Sequence, residues 1–574
     1  KQKTKSIMVQ GVLIYISLII AIAAFAAIIA RIIKQPPIIA YLISGVLAGP
    51  LFFNIIGGDS SELIQIFAHI GVAFLLFIVG LNLDLRVLKE VGIVSTFAGI
   101  SKVIITGGIG VLMAIGLGFS NITALYIGAA LAFSSTVVVV KILSDKKEMD
   151  TLHGKIALGI LIVEDFIAAI ALMAIPLFNR GGNIFSIFIG LSLALGLILL
   201  IFLFAHFILN RFLNYLARSQ ETLFLFGIAW ALILATIFDM FGFSLEIGAL
   251  VAGMSLASSK YTLELGGKIK PLRDFFVVLF FVFFGSQLAS GLNWNLIKIA
   301  LILSVFIVLG KPLIVMTILK LFGYKKRTNF LAGVSIAQIS EFSLILILLG
   351  FTLGHLKQEI MSLAVLIAII TIGVSSYNIY YSHSIFNKLS RFLGIFESKG
   401  KERKGDKVKE SYDVLLFGYH RIGYKILDAL KEMKIPFAVV DYNPKVIFSL
   451  GKQGINCVYG DASDKEFLDE IEFGKAKIII STIPDEYSNL IIKERIKELK
   501  SDAVFMATCE QPRSAIDLYK EGIDYVIVPH HLGGDYAAHM IKQFKTDKKK
   551  YREAGKKHIK ELNTAKKNSY FNIE

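Results

Sequence analysis

Two adjacent carboxylates, Glu164 and Asp165, lie inside the apolar run LIVEDFIAAI. They are the only charged residues between Ala157 and Phe178. A charge near the middle of a membrane costs at least about 2.5 kcal/mol, so an ionisable residue at that depth indicates a function. A buried carboxylate can hold a proton or a cation, but not both well. Competition between the two at one carboxylate gives exchange if the site opens to one side at a time.

The acidic pair needs a basic partner on another apolar segment. Lys311, in VLGKPLIV, lies about 18 residues into such a segment, and Lys102 is a second, shallower candidate. Adjacent residues of a helix point about 100° apart, so the two acids cannot share one role. We predict that Asp165 is the shared proton and cation site and that Glu164 tunes it through Lys311. The alternative is that Glu164 and Lys311 form an ion pair that only holds helices together, which leaves Asp165 unexplained.

The composition places these residues in a membrane protein. The chain has 574 residues, of which 55% are hydrophobic, and its mean hydropathy is +0.68. Soluble globular chains rarely reach such values. Apolar runs of about 18 or more residues, each long enough to cross a bilayer, recur up to about residue 388. They predict about 13 spans, at roughly 8–32, 37–55, 63–81, 90–117, 121–143, 152–177, 183–212, 219–239, 243–259, 271–290, 293–322, 326–352 and 356–388.

The charge of the connecting loops predicts the orientation. Loops 1–2, 3–4, 5–6, 7–8, 9–10 and 11–12 carry most of the Lys and Arg residues, whereas the alternate loops carry little beyond Arg180 and Lys357. The positive-inside rule makes the first set cytoplasmic. We therefore expect a multi-pass protein of a prokaryotic plasma membrane, with its N-terminus outside and its C-terminal domain in the cytoplasm. The net charge of +16 then reflects topology and anionic lipid, and not nucleic-acid binding.

An internal repeat links two pairs of segments. FIVGLNLDL around Gly80 matches VFFGSQLAS around Gly285, and AFSSTVVVV around Ser134 matches SIAQISEFS around Gln338 at nearly the same distance downstream. Gly80 closes span 3 and Gly285 closes span 10. Because the two copies lie an odd number of spans apart, they have opposite topology. Inverted repeats are characteristic of secondary transporters.

Both segments of the second pair carry polar residues near the middle of the membrane. Hydroxyl and amide side chains there predict an unwound stretch of helix, whose backbone carbonyls and half-helix ends face an ion. The alternative is that these side chains hydrogen-bond their own helices or pack between helices. The residues are Ser134, Ser135 and Thr136 in span 5, and Gln338, Ser340 and Glu341 in span 12.

Several motifs spread over the membrane region carry a family resemblance. They are PPIIAYLISGVLAGP (36–50), GVAFLLFIVGLNLDL (71–85), AFSSTVVVVKIL (132–143) followed by VEDF (163–166), GKP (310–312) and QISEF (338–342). Together they resemble the cation:proton antiporter-2 family, and most closely its Kef-type members. The resemblance implies a polytopic α-helical, sodium/proton antiporter-like fold with inverted repeats. It also implies a homodimer in which a mobile six-helix core moves against a panel domain in an elevator-like motion.

The resemblance also implies roles for single residues. Asp165 corresponds to the ion-binding aspartate of the family, and Lys311 to its basic partner. The residue before the aspartate is often Gln in Kef-type proteins, Asp in some electrogenic sodium antiporters and Asn in electroneutral relatives. Here it is Glu164, which leaves the ion and the stoichiometry open. The predicted ion and proton site comprises Asp165, Glu164, Lys311, Ser134, Thr136, Gln338 and Glu341, with no metal beyond the transported K⁺ or Na⁺.

After a charged linker, KGKERKGDKVKE, the sequence changes character. Six short apolar strands alternate with helices from Asp413 onward, which predicts a doubly wound, Rossmann-like α/β domain. The two cysteines, Cys457 and Cys509, both lie in this part and indicate a reducing compartment without a disulfide framework. The predicted domains are a transmembrane exchanger domain at 1–390, the linker at 391–410, a regulatory domain at 411–535 and a basic tail at 536–574.

The first turn of this domain, Gly418-Tyr-His420-Arg-Ile-Gly423, is similar to a dinucleotide fingerprint. Asp441 ends the second strand, where an acid binds ribose hydroxyls, but His420 replaces the middle glycine. The domain resembles the N-terminal half of RCK (TrkA-N-like) domains, which implies a pocket for NAD(H) or AMP. The alternative is a Rossmann-like dimerisation module without a ligand. The pocket would be formed by Gly418, His420, Arg421, Gly423, Asp441 and Asp461.

These features favour one function over its alternatives. We predict a monovalent cation:proton antiporter that exports K⁺ in exchange for H⁺ by alternating access under nucleotide control; a Na⁺/H⁺ antiporter of the same fold is the alternative. A ligand-gated K⁺ channel would need a filter such as TVGYG, which the sequence lacks. A membrane-anchored oxidoreductase would need a second, substrate domain, which the sequence does not indicate. We therefore expect that the protein is not an enzyme. The expected partners are a second copy, the lipid bilayer, and a small regulatory ligand or ancillary subunit.

Overall fold

The chain divides into two compact units in a computed structural model. One unit comprises Lys1–Met149 and His153–Ser398, and the other comprises Asp150–Leu152 and Lys399–Glu574. The finer domain boundaries expected from the sequence stay predictions. The structure describes residues 2–56, 59–82, 92–146, 148–149, 151–178, 192, 196–209, 213, 216, 219–241, 245–257, 259–288, 293–396, 412–419, 422–441, 444–460, 462, 465–471, 473 and 476–567.

The first unit is α-helical, and its helices follow the apolar runs of the sequence. Among the described residues, seven helical segments are long and apolar enough to cross a membrane, and three apolar helices are shorter. The count of about 13 spans stays a prediction, because half of span 7 lies outside the described residues. The helices are α1 (Gln2–Ile32), α2 (Pro37–Ala48), α3 (Asp59–Asn82), α4 (Gly92–Gly116), α5 (Asn121–Ala132), α6 (Thr136–Asp145), α7 (Leu152–Phe178), α8 (Gln220–Met240), α9 (Leu245–Leu256), α10 (Thr262–Ser286), α11 (Trp294–Val305), α12 (Lys311–Leu321), α13 (Lys326–Ser335), α14 (Glu341–Thr352), α15 (Gln358–Tyr380) and α16 (Ser382–Leu389).

Two spans are broken near their middle, as the polar segments predict. Residues 133–135 separate α5 from α6, and residues 336–340 separate α13 from α14. Ser135 and Ser340 are the N-caps of α6 and α14, and each hydroxyl accepts a hydrogen bond from a backbone N–H of the helix it starts. Such caps satisfy N–H groups that a helix start leaves unpaired. The two caps are separated by the same number of residues as Gly80 and Gly285, which agrees with the predicted repeat.

Four glycines allow helices of the two repeats to approach each other closely. Gly253 of α9 meets Gly80 of α3, and Gly285 of α10 meets Gly45 of α2. A Cβ added to Gly253 or to Gly285 would lie 2.1 Å from a carbonyl oxygen of the helix it crosses, so both crossings are made by backbone. Small residues permit this close approach of helices in membranes. Because α2 and α9 occupy equivalent spans, as do α3 and α10, the two crossings follow the inverted symmetry of the repeats.

The second unit contains a six-stranded parallel sheet with the strand order β3-β2-β1-β4-β5-β6. This is the order of a doubly wound dinucleotide-binding fold, so the predicted fold class is confirmed. Along β1, Leu415 and Phe417 pack in one core layer, whereas Val414 and Leu416 pack in the opposite layer. The strands are β1 (Val414–Phe417), β2 (Phe437–Asp441), β3 (Cys457–Tyr459), β4 (Ile478–Ser481), β5 (Val504–Thr508) and β6 (Tyr525–Ile527).

Helices cover both faces of this sheet and extend beyond it. The last two are long and polar, and α22 has no buried residue. The segment predicted as a basic tail is therefore helical up to residue 567. The helices are α17 (Gly423–Met433), α18 (Pro444–Lys452), α19 (Lys465–Glu470), α20 (Glu486–Glu498), α21 (Pro512–Lys520), α22 (Pro529–Phe544) and α23 (Lys548–Lys567).

Candidate ion-binding site

Glu164, on α7, is held by polar partners on both carboxylate oxygens. Its Oε1 accepts a 2.6 Å hydrogen bond from Nζ of Lys102 on α4, and its Oε2 accepts one of 2.9 Å from the backbone N–H of Ser134. The side chains of Glu164 and Lys102 are both 0% exposed. The predicted pairing of Glu164 with Lys311 is therefore wrong. Lys102 is the partner because α4 packs along α5 and carries its lysine to the first break.

Lys311 binds the backbone of both breaks instead. Its Nζ donates hydrogen bonds of 2.8 Å to the carbonyl oxygens of Phe133 and Gln338 and lies 3.4 Å from the Ser134 hydroxyl. The side chain is completely buried. The carbonyl end of a helix carries partial negative charge, and each break follows such an end. The ammonium group of Lys311 thus joins the unwound segments of the two repeats.

Asp165 has a different environment from its neighbour. Its Oδ2 accepts a 2.9 Å hydrogen bond from the hydroxyl of Thr136, the first residue of α6. Asp165 and Thr136 are only partly buried, whereas Glu164 is fully buried. Among the described residues, no lysine or arginine forms an ion pair with Asp165. Of the two acids, Asp165 is therefore the one that remains accessible to an ion or a proton.

Glu341 brings a carboxylate from the second repeat to the same place. It is the first residue of α14 and is 7% exposed. Its Oε2 accepts hydrogen bonds from the hydroxyls of Ser135, at 2.9 Å, and Ser340, at 3.4 Å. Consecutive hydroxyls of the first repeat thus bind two carboxylates, Ser135 binding Glu341 and Thr136 binding Asp165. The two carboxylates lie close enough to interact electrostatically.

Gln338 anchors the second break to α15. Its Oε1 accepts a hydrogen bond from the hydroxyl of Ser375, and its Nε2 lies 3.5 Å from the carbonyl oxygen of Ser135. The amide therefore links span 13 to the first break. A glutamine suits this position because it both donates and accepts.

The two breaks correspond in position but differ in charge. In the first, the backbone N–H of Ser134 donates to Glu164. In the second, the backbone N–H of Ile339 donates to the hydroxyl of Thr371 at 3.4 Å. Thr371 thus takes the place of Glu164 in the inverted repeat. Because Thr371 is uncharged, only the first repeat has, among the described residues, an ion pair at its break, formed by Lys102 and Glu164.

All seven residues predicted for the ion and proton site lie in this hydrogen-bonded network, although their roles stay predictions. Sequence reasoning missed Thr371, Ser375 and Ser343, whose hydroxyl donates to the carbonyl oxygen of Ala130 at 2.6 Å. The four-residue spacing of Thr371 and Ser375 puts both on one face of α15. That spacing within an apolar run is the signal that could have identified them.

A second charged group of residues lies at the ends of α6, α7, α13 and α16, and we call it the Glu148 cluster (Lys146, Glu148, His153, Arg327 and His383). Glu148 accepts hydrogen bonds from Nε2 of His383 at 2.8 Å and from Nε2 of His153 at 3.2 Å. Lys146 lies 2.9 Å from the same carboxylate, and Arg327 lies 3.1 Å from Nδ1 of His383. Because arginine only donates, His383 must accept at Nδ1 and is therefore neutral.

The cluster shifts the titration of two of its members. Burial opposes ionisation of Glu148, but hydrogen bonds from both histidines and the charges of His153 and Lys146 hold its pKa well below the ordinary value. Burial lowers the pKa of His383, and Lys146 and Arg327 lower it further against the opposing effect of Glu148. A carboxylate and a neutral imidazole are the forms that this arrangement stabilises.

The nucleotide pocket predicted in the second unit is described in part. Gly418 has φ +82°, and a Cβ there would lie 2.7 Å from the hydroxyl of Thr482. A Cβ on Gly423 would lie 2.3 Å from the carbonyl oxygen of Gly418, so both positions require glycine. Asp441 accepts a 2.9 Å hydrogen bond from the backbone N–H of Tyr419, which places it against the glycine turn. His420, Arg421 and Asp461 lie outside the described residues.

Two family profiles match the chain. The profile described as "Sodium/hydrogen exchanger, transmembrane" matches residues 19–379, which is more than half of the chain. The TrkA-N domain profile matches residues 414–529. The predicted combination of an exchanger domain with a C-terminal TrkA-N domain is thereby confirmed.

Related proteins extend the match over most of the chain. The putative cation/proton antiporter YbaL of Escherichia coli is 27% identical over 89% of this chain and 93% of its own length. The glutathione-regulated potassium-efflux system protein KefC of Escherichia coli is 27% identical over 85% of this chain and 78% of its own. K(+) efflux antiporter 5 of Arabidopsis thaliana is 31% identical over 57% of this chain and 59% of its own. The Kef-type resemblance seen in the sequence is confirmed by these matches.

A solved structure supports the fold of the membrane unit. The sodium proton antiporter MjNhaP1 of Methanocaldococcus jannaschii matches 67% of this chain and 99% of its own, with a TM-score of 0.50 and 18% sequence identity. At that identity the likeness shows the fold alone. The polar network around the two breaks thus lies within an antiporter fold.

Proposed function

Because this chain belongs to the transmembrane sodium/hydrogen exchanger family, we propose that its membrane unit exchanges a monovalent cation for protons at Asp165. This proposal rests on the difference in burial and binding partners between Glu164 and Asp165. Glu164 is fully buried against Lys102, whereas Asp165 is partly accessible and is bound by a hydroxyl. A carboxylate in such a position holds a proton and a cation in turn, and that competition couples the two fluxes.

Exchange requires that the site face one side of the membrane at a time. We infer that α4–α7 and α11–α15 move together as the core, because the network around the breaks connects α4, α6, α7, α12, α14 and α15. The glycine crossings hold α2, α3, α9 and α10 together at backbone contact. Those helices would form the static panel against which the core slides. Broken helices that move as part of a rigid core are typical of secondary transporters.

We propose K⁺ as the transported cation and Na⁺ as the competing candidate. The proposal for K⁺ is supported by the relatives, since KefC and the Arabidopsis thaliana antiporters are named for potassium efflux. The candidate Na⁺ is supported by the fold shared with a sodium proton antiporter. Carboxylate and hydroxyl oxygens bind both ions, so the site chemistry does not separate them.

Proteoliposomes with a pH dye inside test the exchange. The full chain is reconstituted, and K⁺ or Na⁺ is added outside. We expect one ion to change the internal pH in the wild type, and Asp165→Asn to abolish the response. Asp145→Asn, which changes a half-exposed carboxylate beside Lys141, is the matched control. Exchange that persists in Asp165→Asn would remove the site assignment, and cation flux without proton movement would indicate a channel.

We propose further that the TrkA-N domain binds a nucleotide, NAD(H) or AMP, at the glycine turn and regulates exchange. The supporting features are the positive φ of Gly418, the close approach of Gly423, and Asp441 at the end of β2. The phosphate would meet the N-terminus of α17, where helices favour negative charge. Asp441 would accept hydrogen bonds from a ribose.

Calorimetric titration of the full chain with NAD⁺, NADH and AMP, each tested separately, decides this point. We expect one of them to bind and Asp441→Asn to weaken the binding, while Asp517→Asn on the exposed face of α21 leaves it unchanged. If none of the three binds, the domain is better described as a dimerisation module without a nucleotide.

We also propose a homodimer with the N-terminus outside and the soluble unit in the cytoplasm. The loop charges support this orientation, and the Kef-type resemblance supports the dimer. The only cysteines are Cys457 and Cys509. Membrane-impermeant thiol reagents applied to intact cells should therefore not label the wild type, but should label the Ser6→Cys variant. Light scattering of the purified protein measures the oligomeric state.

A further inference from the structure

The last helix of the soluble unit, α23, differs in charge from the domain that precedes it. Its 20 residues include nine Lys and Arg residues and two Glu residues, a net charge of +7. Residues 412–547 contain 17 Lys and Arg residues and 21 Asp and Glu residues, a net charge of −4. The positive charge of this unit is therefore concentrated on one helix.

The basic side chains of α23 lie on the surface. Lys549, Arg552 and Lys556 are all exposed. They recur every three or four residues and so form one line along the helix, which we call the basic stripe. Ile559, which follows beside the basic stripe, is 60% exposed. Among the side chains of α23 that the structure describes, Glu553 is the only acid, so this helix presents mainly positive charge to its surroundings.

The contacts that fix the start of α23 lie on another side of the helix. The Asp547 carboxylate accepts hydrogen bonds from the backbone N–H groups of Lys549 and Lys550 at 2.9 and 3.4 Å. The ring of Tyr551 packs edge-on against Phe544 of α22, with 5.2 Å between ring centroids. At 100° per residue, Tyr551 lies about 130° around the helix from the centre of the basic stripe. The helix is thus held through one side and presents its basic stripe on another.

The membrane unit keeps this helix within reach of lipid. Ser398 ends the membrane unit and Tyr412 is 14 residues further along the chain, a length that spans at most about 50 Å when extended. In the proposed orientation, the adjacent leaflet is cytoplasmic and anionic, and it attracts clustered Lys and Arg residues. The same surface repels the acidic residues 412–547, so it favours an approach of the soluble unit with α23 toward the lipid.

We propose that α23 binds the anionic lipid headgroups of the cytoplasmic leaflet and holds the soluble unit at the membrane surface. The basic stripe contacts headgroup phosphates, and Ile559 enters the headgroup region. The exposed apolar surface of the helix is small, so the attraction is mainly electrostatic and weakens as salt screens it. Lipid charge then sets the position of the regulatory domain, independently of the transported ion and of the nucleotide.

Other anionic partners would also complement the basic stripe. A nucleic acid or the acidic part of a second copy offers negative charge, but each must be captured from solution or from a neighbouring molecule. The bilayer is favoured because every copy of the chain is joined to it through a short connection.

Hydrogen exchange of the full chain in lipid nanodiscs tests the proposal. Discs of phosphatidylcholine alone are compared with discs of equal parts phosphatidylcholine and phosphatidylglycerol. We expect amide exchange over residues 548–560 to slow by about tenfold or more in the anionic discs. High salt should remove this slowing. Exchange in β1 should be the same in both kinds of disc, which shows that the domain itself is unchanged.

Charge reversal of the basic stripe gives the matched variant. Lys549→Glu, Arg552→Glu and Lys556→Glu, combined in one chain, should make exchange over residues 548–560 equal in the two kinds of disc. The control carries the same change of charge at exposed positions of α17, α20 and α21 and should keep the slowing. It combines Lys431→Glu, Lys497→Glu and Lys520→Glu.

Three outcomes would overturn the proposal. Fast exchange of residues 548–560 in both kinds of disc would mean that α23 is a solvated surface. Slow exchange in both would mean that protein covers the helix, in the same chain or in a second copy. If a short DNA duplex slows exchange in phosphatidylcholine discs as much as phosphatidylglycerol does, the basic stripe binds polyanions in general and does not select a lipid surface.

Discussion

The Nζ atom of Lys102 lies 2.6 Å from Oε1 of Glu164, and neither side chain is exposed. The pair connects α4 to α7 beside the first break, and Glu164 also accepts a hydrogen bond from the Ser134 backbone. Desolvation makes such a pair a weak source of stability as a whole. Removing one partner is nevertheless strongly destabilising, because the other charge stays buried alone.

Glu164→Gln should therefore destabilise the membrane unit by about 3–5 kcal/mol. The midpoint of thermal unfolding in detergent, followed by intrinsic fluorescence, measures the effect. A double variant, Lys102→Met with Glu164→Leu, should unfold at a higher temperature than Glu164→Gln because it leaves no charge uncompensated. Glu359→Gln is the control, and an equal midpoint for the control and Glu164→Gln would argue against the buried pair.

Lys311 should be required for the order of both breaks. Lys311→Met removes the donor from the carbonyl oxygens of Phe133 and Gln338, and each buried group left unpaired costs about 1–3 kcal/mol. Hydrogen exchange followed by mass spectrometry should show faster exchange at residues 133–135 and 336–340. Lys320→Met, which changes a partly exposed lysine of the same helix that donates to the carbonyl oxygen of Ile395, should leave these segments unchanged. Unchanged protection in Lys311→Met would mean that other contacts hold the breaks.

The glycine crossings should tolerate no side chain. Gly253→Ala puts a Cβ 2.1 Å from a carbonyl oxygen of α3, and relief of that clash should cost about 3 kcal/mol or more. Gly108→Ala is the control, because a Cβ there meets nothing within 4 Å. In a helix this control should be neutral or stabilising by about 0.5–1 kcal/mol. Thermal unfolding of the two variants measures the difference, and similar midpoints would refute the backbone contact.

The Glu148 cluster should make the membrane unit less stable in acid. Glu148 and His383 both have pKa values below their ordinary ones, so their stabilising effect is complete at higher pH. The stabilisation by neutral His383 is lost as the pH falls from about 6.5, the pKa of an unperturbed histidine, through the lower pKa of His383 in the folded protein. Protonation of Nδ1 would also place an N–H group against the guanidinium of Arg327, and the hydrogen bond between the two side chains would be lost. For Glu148 the loss follows at still lower pH.

The midpoint of thermal unfolding, measured between pH 8 and pH 5, tests whether acid destabilises the membrane unit. The wild-type midpoint should fall on acidification, and His383→Gln should flatten the part of the curve around pH 6. His539→Gln, in the exposed helix α22, is the control. A wild-type midpoint that rises on acidification would show that the sign assigned to the cluster is wrong.

The breaks were predictable because their sequence signal is local. Hydroxyl and amide residues inside apolar spans indicated unwound helix at two places, and matching glycines related those places to each other. The parallel sheet was predictable for the same reason, since each strand is a short apolar run followed by a helix. Such patterns depend on residues that are close in the chain.

The pairing of the lysines was not predictable from the sequence. Position along a span indicates the depth of a side chain, but not the direction in which it points. Lys311 has the greater depth, yet Lys102 reaches Glu164 because α4 packs along α5 at the first break. Thr371 was missed because a single hydroxyl in an apolar helix usually bonds its own backbone. Its role depends on Ile339, a residue that only tertiary structure brings to it.

The crossings of α2 with α10 and of α3 with α9 have a consequence for the synthesis of the protein. Gly45 leaves the ribosome roughly 240 residues before Gly285, the residue it contacts. At about 5–20 residues per second, α2 waits on the order of 10–50 s for α10 to arrive. During that interval its glycine face lacks the helix against which it packs in the folded protein. Assembly of the panel therefore begins only after more than half of the membrane region has been inserted.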